Sequence, residues 1–227
     1  MSKFIKANID IILVSGIGII LLISGMISVC NKIAVDYVSA ATTANVAVTA
    51  TVAQSEELTV GAVGSSQSVN GETTTVATTD GANLPLGTIS VSSNTVAAHD
   101  LTMTTNASSG YTVYVKYDHE LRRTSSTTQD IDDLATHTNA TPGSFSGAGT
   151  EAFGYTTEDF TLGTGTPNRF SSDKWAAFTT GDLEVAYHDS YVSATTTRIG
   201  YQAGISTETI AGTDYGCQIT YTMTSSF

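Results

Sequence analysis

Positive charge is scarce in this chain, and its scarcity excludes two classes of partner. Lysine and arginine together number 9 against 21 aspartates and glutamates, a formal net charge of -12 over 227 residues. Nucleic-acid affinity comes largely from Lys and Arg neutralising phosphates, so nucleic acid is not an expected partner. The same deficit argues against docking on an anionic membrane surface. Such acidity keeps an exported protein soluble and disfavours nonspecific self-association. Cysteine is also nearly missing: only Cys30 and Cys217 occur. Should the N-terminal segment that holds Cys30 be removed, Cys217 is alone and no intrachain disulfide can form, an intermolecular one being the alternative. Stability must come from a core, and Cys217 reads as a small buried hydrophobe.

Catalytic signatures are missing as well. The four histidines, His99, His119, His137 and His188, sit in no His-Glu-x-x-His pattern. Gly143-Ser144-Phe145-Ser146-Gly147 has glycines four apart, but Phe145 stands where a nucleophilic serine would be. No phosphate loop or dinucleotide fingerprint occurs. Asp130-Ile131-Asp132-Asp133 is the one acidic cluster. Calcium wants six to eight oxygens in a fixed register, which this cluster lacks, so it reads as an acidic surface loop. No cofactor, no metal and no enzymatic activity are expected.

One long apolar run is present, and it lies at the start. Lys3 and Lys6 precede an apolar stretch from Ile11 to Cys30, the charged-then-apolar order of an export signal. The run is also long enough to span a bilayer as a helix. Val38-Ser39-Ala40 before Ala41 loosely fits the small-x-small cleavage rule. Residues 1–40 are therefore read as a signal peptide, with an uncleaved signal anchor as the alternative. In that alternative they are the chain's link to a membrane. Val29 before Cys30 fits a lipoprotein site poorly. Removing residues 1–40 takes away Lys3, Lys6 and Lys32 but only Asp10 and Asp36, so the remainder is more acidic still.

Beyond Ala40 the chain shows strand-like alternation and no helical periodicity. Thr, Ser and Gly fill the polar positions, and Thr suits pleated sheet. Val46, Val48, Ala50 and Val52 alternate with Ala47, Thr49 and Thr51, a period-2 pattern with one apolar face. Leu58 and Val60 continue it. Asn70-Gly71 and Asp80-Gly81 are hairpin-turn signals. Tyr111, Val113, Val115 and Tyr117 share one face of the clearest strand. Residues 119–150 read as a long polar loop. Phe153–Phe160, Leu183–Tyr187 and Thr195–Ile205 read as strands, the last with Ile199, Tyr201, Ala203 and Ile205 on one face. Cys217, Ile219, Tyr221 and Met223 face one way on a final strand.

Short strands with alternation, rather than continuous apolar runs, indicate an all-β antiparallel β-sandwich behind an N-terminal hydrophobic export helix. The expected division is residues 1–40 for export, 41–60 as an N-terminal strand segment and 61–227 as the sandwich. The aromatics Trp175, Phe178, Tyr187 and Tyr191, with Phe153, Tyr155, Phe160 and Phe170 near them, are expected to fill its core. Asn106-Ala107-Ser108 and Asn139-Ala140-Thr141 match the N-glycosylation pattern, as chance allows in a Thr/Ser-rich chain.

The segments TTNASSGYTVYVKYD (Thr104 to Asp118), EAFGYTTEDF (Glu151 to Phe160) and ISTETIAGTDYGCQITYTM (Ile205 to Met223) occur in a familiar order. In this order the chain resembles a loose group of secreted Thr/Ser-rich β-sandwich surface proteins of Gram-positive and uncultured small bacteria. The resemblance covers about Thr88 to Phe227 and brings no catalytic set. It implies a cell-envelope or extracellular-filament context.

Two roles follow as expectations. The first is a secreted cell-surface structural protein, a subunit of a pilus-like filament or surface layer. Asn45, Val46, Val48, Ala50 and Val52 would then add as a strand to a neighbouring copy, forming a homopolymer. The alternative is an adhesin or carbohydrate-binding module that takes surface glycans on exposed aromatics. N-terminal sequencing of the exported protein is expected to begin at Ala41 or Thr42. A start at Met1 or Ser2 contradicts the cleaved reading.

Overall fold

The computed structural model describes residues 47–227. The expected export helix of residues 1–40, with Asn45 and Val46, lies outside the described residues. Among the described residues the fold is all-β, without a helix, and almost every pairing is antiparallel. Twelve strands occur: β1 (Glu56–Ala62), β2 (Ser68–Val69), β3 (Glu72–Thr73), β4 (Thr95–Thr105), β5 (Tyr111–Tyr117), β6 (Leu121–Arg123), β7 (Asp130–Ile131), β8 (Ala152–Thr157), β9 (Leu183–His188), β10 (Val192–Gly204), β11 (Tyr215–Gly216) and β12 (Ile219–Ser225). They form a four-stranded sheet in the order β1-β4-β10-β8 and a three-stranded sheet in the order β12-β5-β9. A small sheet, β11-β6-β7, and the hairpin β2-β3 complete the set.

Alternation decides which face each strand buries. On β5, Tyr111, Val113, Val115 and Tyr117 are buried while Thr112, Tyr114 and Lys116 are half-buried. They share one core cluster with Leu101 and Met103 of β4, Phe153 and Tyr155 of β8, and Ile199, Tyr201 and Ala203 of β10. Phe170 and Phe178 join from loops. Phe178 lies 4.7 Å, centroid to centroid, from Tyr155 and 5.2 Å from Phe153. Aromatic pairs at this spacing add to what burial alone contributes. The inward face of β5 is as expected, and so is the burial of Phe153, Tyr155, Phe170, Trp175 and Phe178, but Phe160 and Tyr187 are half-buried and Tyr191 is exposed rather than in the core.

The four-stranded sheet is buried on its second face too. Val96 and Ala98 of β4 and Ala152 of β8 pack with Val63, Val69, Leu134 and Trp175 in a separate cluster. Gly200 makes this possible, because an added Cβ would lie 2.7 Å from Val69 Cγ2 and 2.9 Å from Thr156 Cγ2. Trp175 is completely buried, and its indole N–H donates to Asp173 Oδ1 at 2.7 Å.

Asn70-Gly71 forms the expected hairpin turn. Both residues have left-handed φ, 44° and 93°, as a two-residue primed turn requires. Asn70 also works through its side chain, whose amide donates to Thr156 Oγ1 at 2.6 Å, Phe170 O at 2.7 Å and Lys174 O at 3.1 Å. Asp80-Gly81 is not a hairpin turn. The Asp80 carboxylate instead accepts the backbone N–H groups of Ala82 and Asn83, each at 2.8 Å, bending the chain locally.

Residues 119–150 are not simply a polar loop. They contain β6 and β7 and bury Leu121, Ile131 and Leu134. Further along, the loop 158–170 is tied to β9 by a buried ion pair. The Glu184 carboxylate accepts from the backbone N–H groups of Gly163 and Thr164 and from the Thr164 hydroxyl. Arg169 stands 3.7 Å from it, and both side chains are only 3% exposed. Removing one member of such a pair strands the other charge.

Asn70→Ala is expected to cost about 2–4 kcal/mol, because it leaves the Phe170 carbonyl without a donor, removes one of the two donors to Lys174 O, and loses a residue type that tolerates left-handed φ. Urea unfolding measures it, and a loss under about 0.5 kcal/mol would contradict the assigned bonds.

Candidate functional site

A sheet edge exposes unpaired N–H and C=O groups unless something covers it, so each edge of the two larger sheets was traced. The outer edge of β8 is covered by backbone. Tyr155 and Ala176 exchange N–H···O bonds of 2.9 and 2.8 Å, and Leu134 N–H donates to Phe153 O at 2.9 Å. At β9, side chains do the covering. Thr157 Oγ1 donates to Val185 O at 2.6 Å, Asn139 Nδ2 donates to Glu184 O at 2.8 Å, and Tyr187 N–H donates to Asp159 Oδ2 at 2.7 Å. The edge of β1 is partly masked, because Gly81 lies so close that an added Cβ would overlap Val60 O.

β12 differs. It pairs with β5 along one side, and no described strand pairs with the other. Ser226 N–H donates to Gly110 O and Asp118 N–H to Gln218 O, both at 3.0 Å. Antiparallel pairs alternate between bonded and non-bonded positions. Even-numbered residues of β12 therefore bond to β5. Ile219, Tyr221, Met223 and Ser225 direct their backbone groups to the bare side.

The core is open along the same side. Ile219, Tyr221 and Met223 face inward yet stay half-buried, whereas Val113 and Val115 on β5 are fully buried. A groove of about 1010 Å³ opens there. One wall is the segment Gly81–Ile89 and the other is Ile205–Ile219, with His99, Tyr201, Phe153 and Ile131 among the residues of the floor. Leu84, Leu86 and Ile89 turn toward the core, and Pro85 and Gly87 turn out. The backbone of Leu84–Ile89 makes no backbone hydrogen bond among the described residues.

A polar chain crosses the groove floor. Asp80 O lies 3.0 Å from His99 Nε2, so Nε2 carries the proton of the neutral ring and donates. Nδ1 then accepts from the Tyr201 hydroxyl at 3.3 Å, and Tyr201 accepts from the Tyr221 hydroxyl at 2.5 Å. This chain ties β4 and β10 to β12 and holds the bare strand in place. Burial holds the His99 imidazole below its ordinary 6.5 and pushes both tyrosine hydroxyls up. Cys217 lines the groove, and burial pushes its thiol up to about 12, with Asp118 and Asp133 adding to the shift. A thiol so poised is a weak nucleophile at neutral pH.

The residues singled out in the sequence fall in three places. Val48, Ala50 and Val52 are exposed and in no strand, Val48 by 88% and Val52 by 82%. In the acidic cluster, Asp133 Oδ2 accepts the Tyr117 hydroxyl at 2.5 Å, and burial raises the Asp133 carboxyl to about 6. Among the described residues no group of three His, Cys, Asp or Glu side chains is placed to hold a metal ion. Both glycosylation-pattern asparagines use their side-chain amides internally, Asn106 with Ala53 and Ser55 and Asn139 with Tyr155. The groove itself was not foreseen, since its walls come from segments more than 100 residues apart. No protein-family model, curated protein or solved structure matches this chain.

An NMR titration of the His99 imidazole is expected to place its pKa below 6.5 with the Nε2–H tautomer. A depressed folded pKa gives stability that is present above 6.5 and lost as pH falls through the folded value. The raised Asp133 carboxyl acts in the opposite sense, lending stability that is lost as pH rises through about 6. The comparison of wild type with His99→Gln therefore isolates the histidine's share. A His99 pKa at or above 6.5 contradicts the buried, neutral ring.

Proposed function

We propose that this chain is an exported structural subunit of an extracellular filament or surface layer, assembling with its own copies by β-strand addition. In this reading the two larger sheets pack as an antiparallel β-sandwich, and residues 1–40 carry the chain across the membrane. The observation that carries the reading is the exposure of Val48 and Val52 in the alternating segment Asn45–Val52. Its sequence alternates like a strand with one apolar face, yet Val48 and Val52 are 88% and 82% exposed. Exposing two large valines of a strand-like segment loses hydrophobic stabilisation of about 1.5–3 kcal/mol each, which a partner's sheet would restore.

Charge supports the same reading. Residues 41–55 contain no charged side chain, in a protein of net charge -12. An uncharged strand approaches an acidic neighbour without adding to the repulsion. The bare edge of β12 offers the complementary backbone groups. The adhesin reading would need an exposed aromatic surface. Trp175, Phe170 and Phe178 are buried, and among the described residues Tyr191, 73% exposed, is the only aromatic apart from Phe227 that stands out at the surface.

Electron microscopy and light scattering of the exported protein are expected to show self-assembly. Val48→Asp with Val52→Asp should reduce it more than tenfold while leaving the thermal unfolding of the subunit unchanged, since both positions are already exposed. A wild-type protein that stays monomeric at high concentration contradicts the proposal.

A further inference from the structure

We infer that the groove beside β12 is the acceptor site, and that its occupant is the Asn45–Val52 segment of a second copy, paired to the bare edge of β12 with Val46, Val48, Ala50 and Val52 turned into the groove. This rests on the strand-addition reading and says where the strand goes.

The choice of edge follows from the cover on the others. β8 is closed by backbone and β9 by the side chains of Thr157, Asn139 and Asp159, whereas Gly81 masks β1 at Val60. Only on β12 do bare backbone groups and an opening into the core coincide. Ile219 and Tyr221 lie on the bare edge and line the groove. A strand bonded there places every second side chain over His99, Tyr201 and the other residues of the floor.

The donor fits by length, parity and charge. Eight extended residues span about 26 Å, and the seven of β12 about 23 Å. A strand against an open core needs one apolar face and tolerates a small polar one. Asn45–Val52 has that pattern, with Ala47, Thr49 and Thr51 on the second face. β12 itself, Ile-Thr-Tyr-Thr-Met-Thr-Ser, is as free of charge as the donor.

The chain just before β1 is held. Asn106 donates from its side chain to Ala53 O at 2.7 Å, accepts Ser55 N–H at 2.9 Å, and gives its own N–H to Ser55 O at 3.2 Å. Links within one chain, should they form, mark a return of the segment onto its own groove and are one of the outcomes of the test below.

Cys217, in the groove wall, provides the test. Single cysteines are placed at positions 46 to 52 of the full exported chain and oxidised at pH 9. Disulfide-linked species are then read on non-reducing gels. At least one of Val46→Cys, Val48→Cys, Ala50→Cys and Val52→Cys is expected to give intermolecular dimers at five times or more the yield of Ala47→Cys, Thr49→Cys and Thr51→Cys. Cys217→Ser should abolish these dimers, which also excludes a link through Cys30. Assemblies that form with no such alternation, or links found only within one chain, overturn the inference while leaving strand addition at another edge intact. Variants and wild type that do not assemble at all overturn both.

Discussion

Backbone groups at a sheet edge must find partners, and this constraint organises the molecule more than any single contact. Two of the four edges of the larger sheets are covered, by another stretch of backbone at β8 and by three side chains at β9, and the β1 edge is partly masked by a close-lying glycine at Val60. Much of the loop structure makes sense as edge cover. The segment around Trp175 both fills the second core and bonds to β8. The loop ahead of β9 is pinned by the buried Glu184–Arg169 pair, and Asp159 at its start caps Tyr187. Against this background the bare side of β12 is the exception. Natural sheets protect such edges with charge, proline or bulges, and β12 carries none of them.

The exposed residues 47–52 and the bare β12 edge are the two incompletions that the proposal joins. One has an apolar face without a core; the other has an open core without a strand. In the proposed assembly each would complete the other. The His99–Tyr201–Tyr221 chain gives the acceptor its rigidity, because it holds β12 at a fixed distance from β10 across the groove floor. Among the described residues there is no disulfide, and 28 buried hydrophobic side chains hold the fold; the proposed assembly would close what remains open.

Much of the fold was legible from period-2 alternation. The inward faces of β5 and β12 and the 199–203 stretch of β10 follow the sequence residue by residue. The Asn70-Gly71 hairpin was also legible, because few other dipeptides adopt two left-handed φ values in succession. Asp80-Gly81 carries a similar signal but became a side-chain-capped bend, since the Asp80 carboxylate satisfied the local amides first. Leu121, Ile131 and Leu134 were hidden because each is a solitary apolar residue among polar ones, buried by partners distant in sequence. The donor half of the candidate site, Asn45 to Val52, was visible as an alternating run. The acceptor half was not, because it depends on which edges remain uncovered once every loop is in place.

Hydrogen exchange along β12 tests the account most directly. In the unassembled protein the amides of Ile219, Tyr221 and Met223 should exchange rapidly, while those of Thr220, Thr222 and Thr224, bonded to β5, are slow. On assembly the odd-numbered amides should become protected by about a hundredfold, roughly the 3 kcal/mol that local opening of a newly paired strand would require. Assemblies in which Ile219, Tyr221 and Met223 still exchange as rapidly as in the free subunit would contradict strand addition at β12.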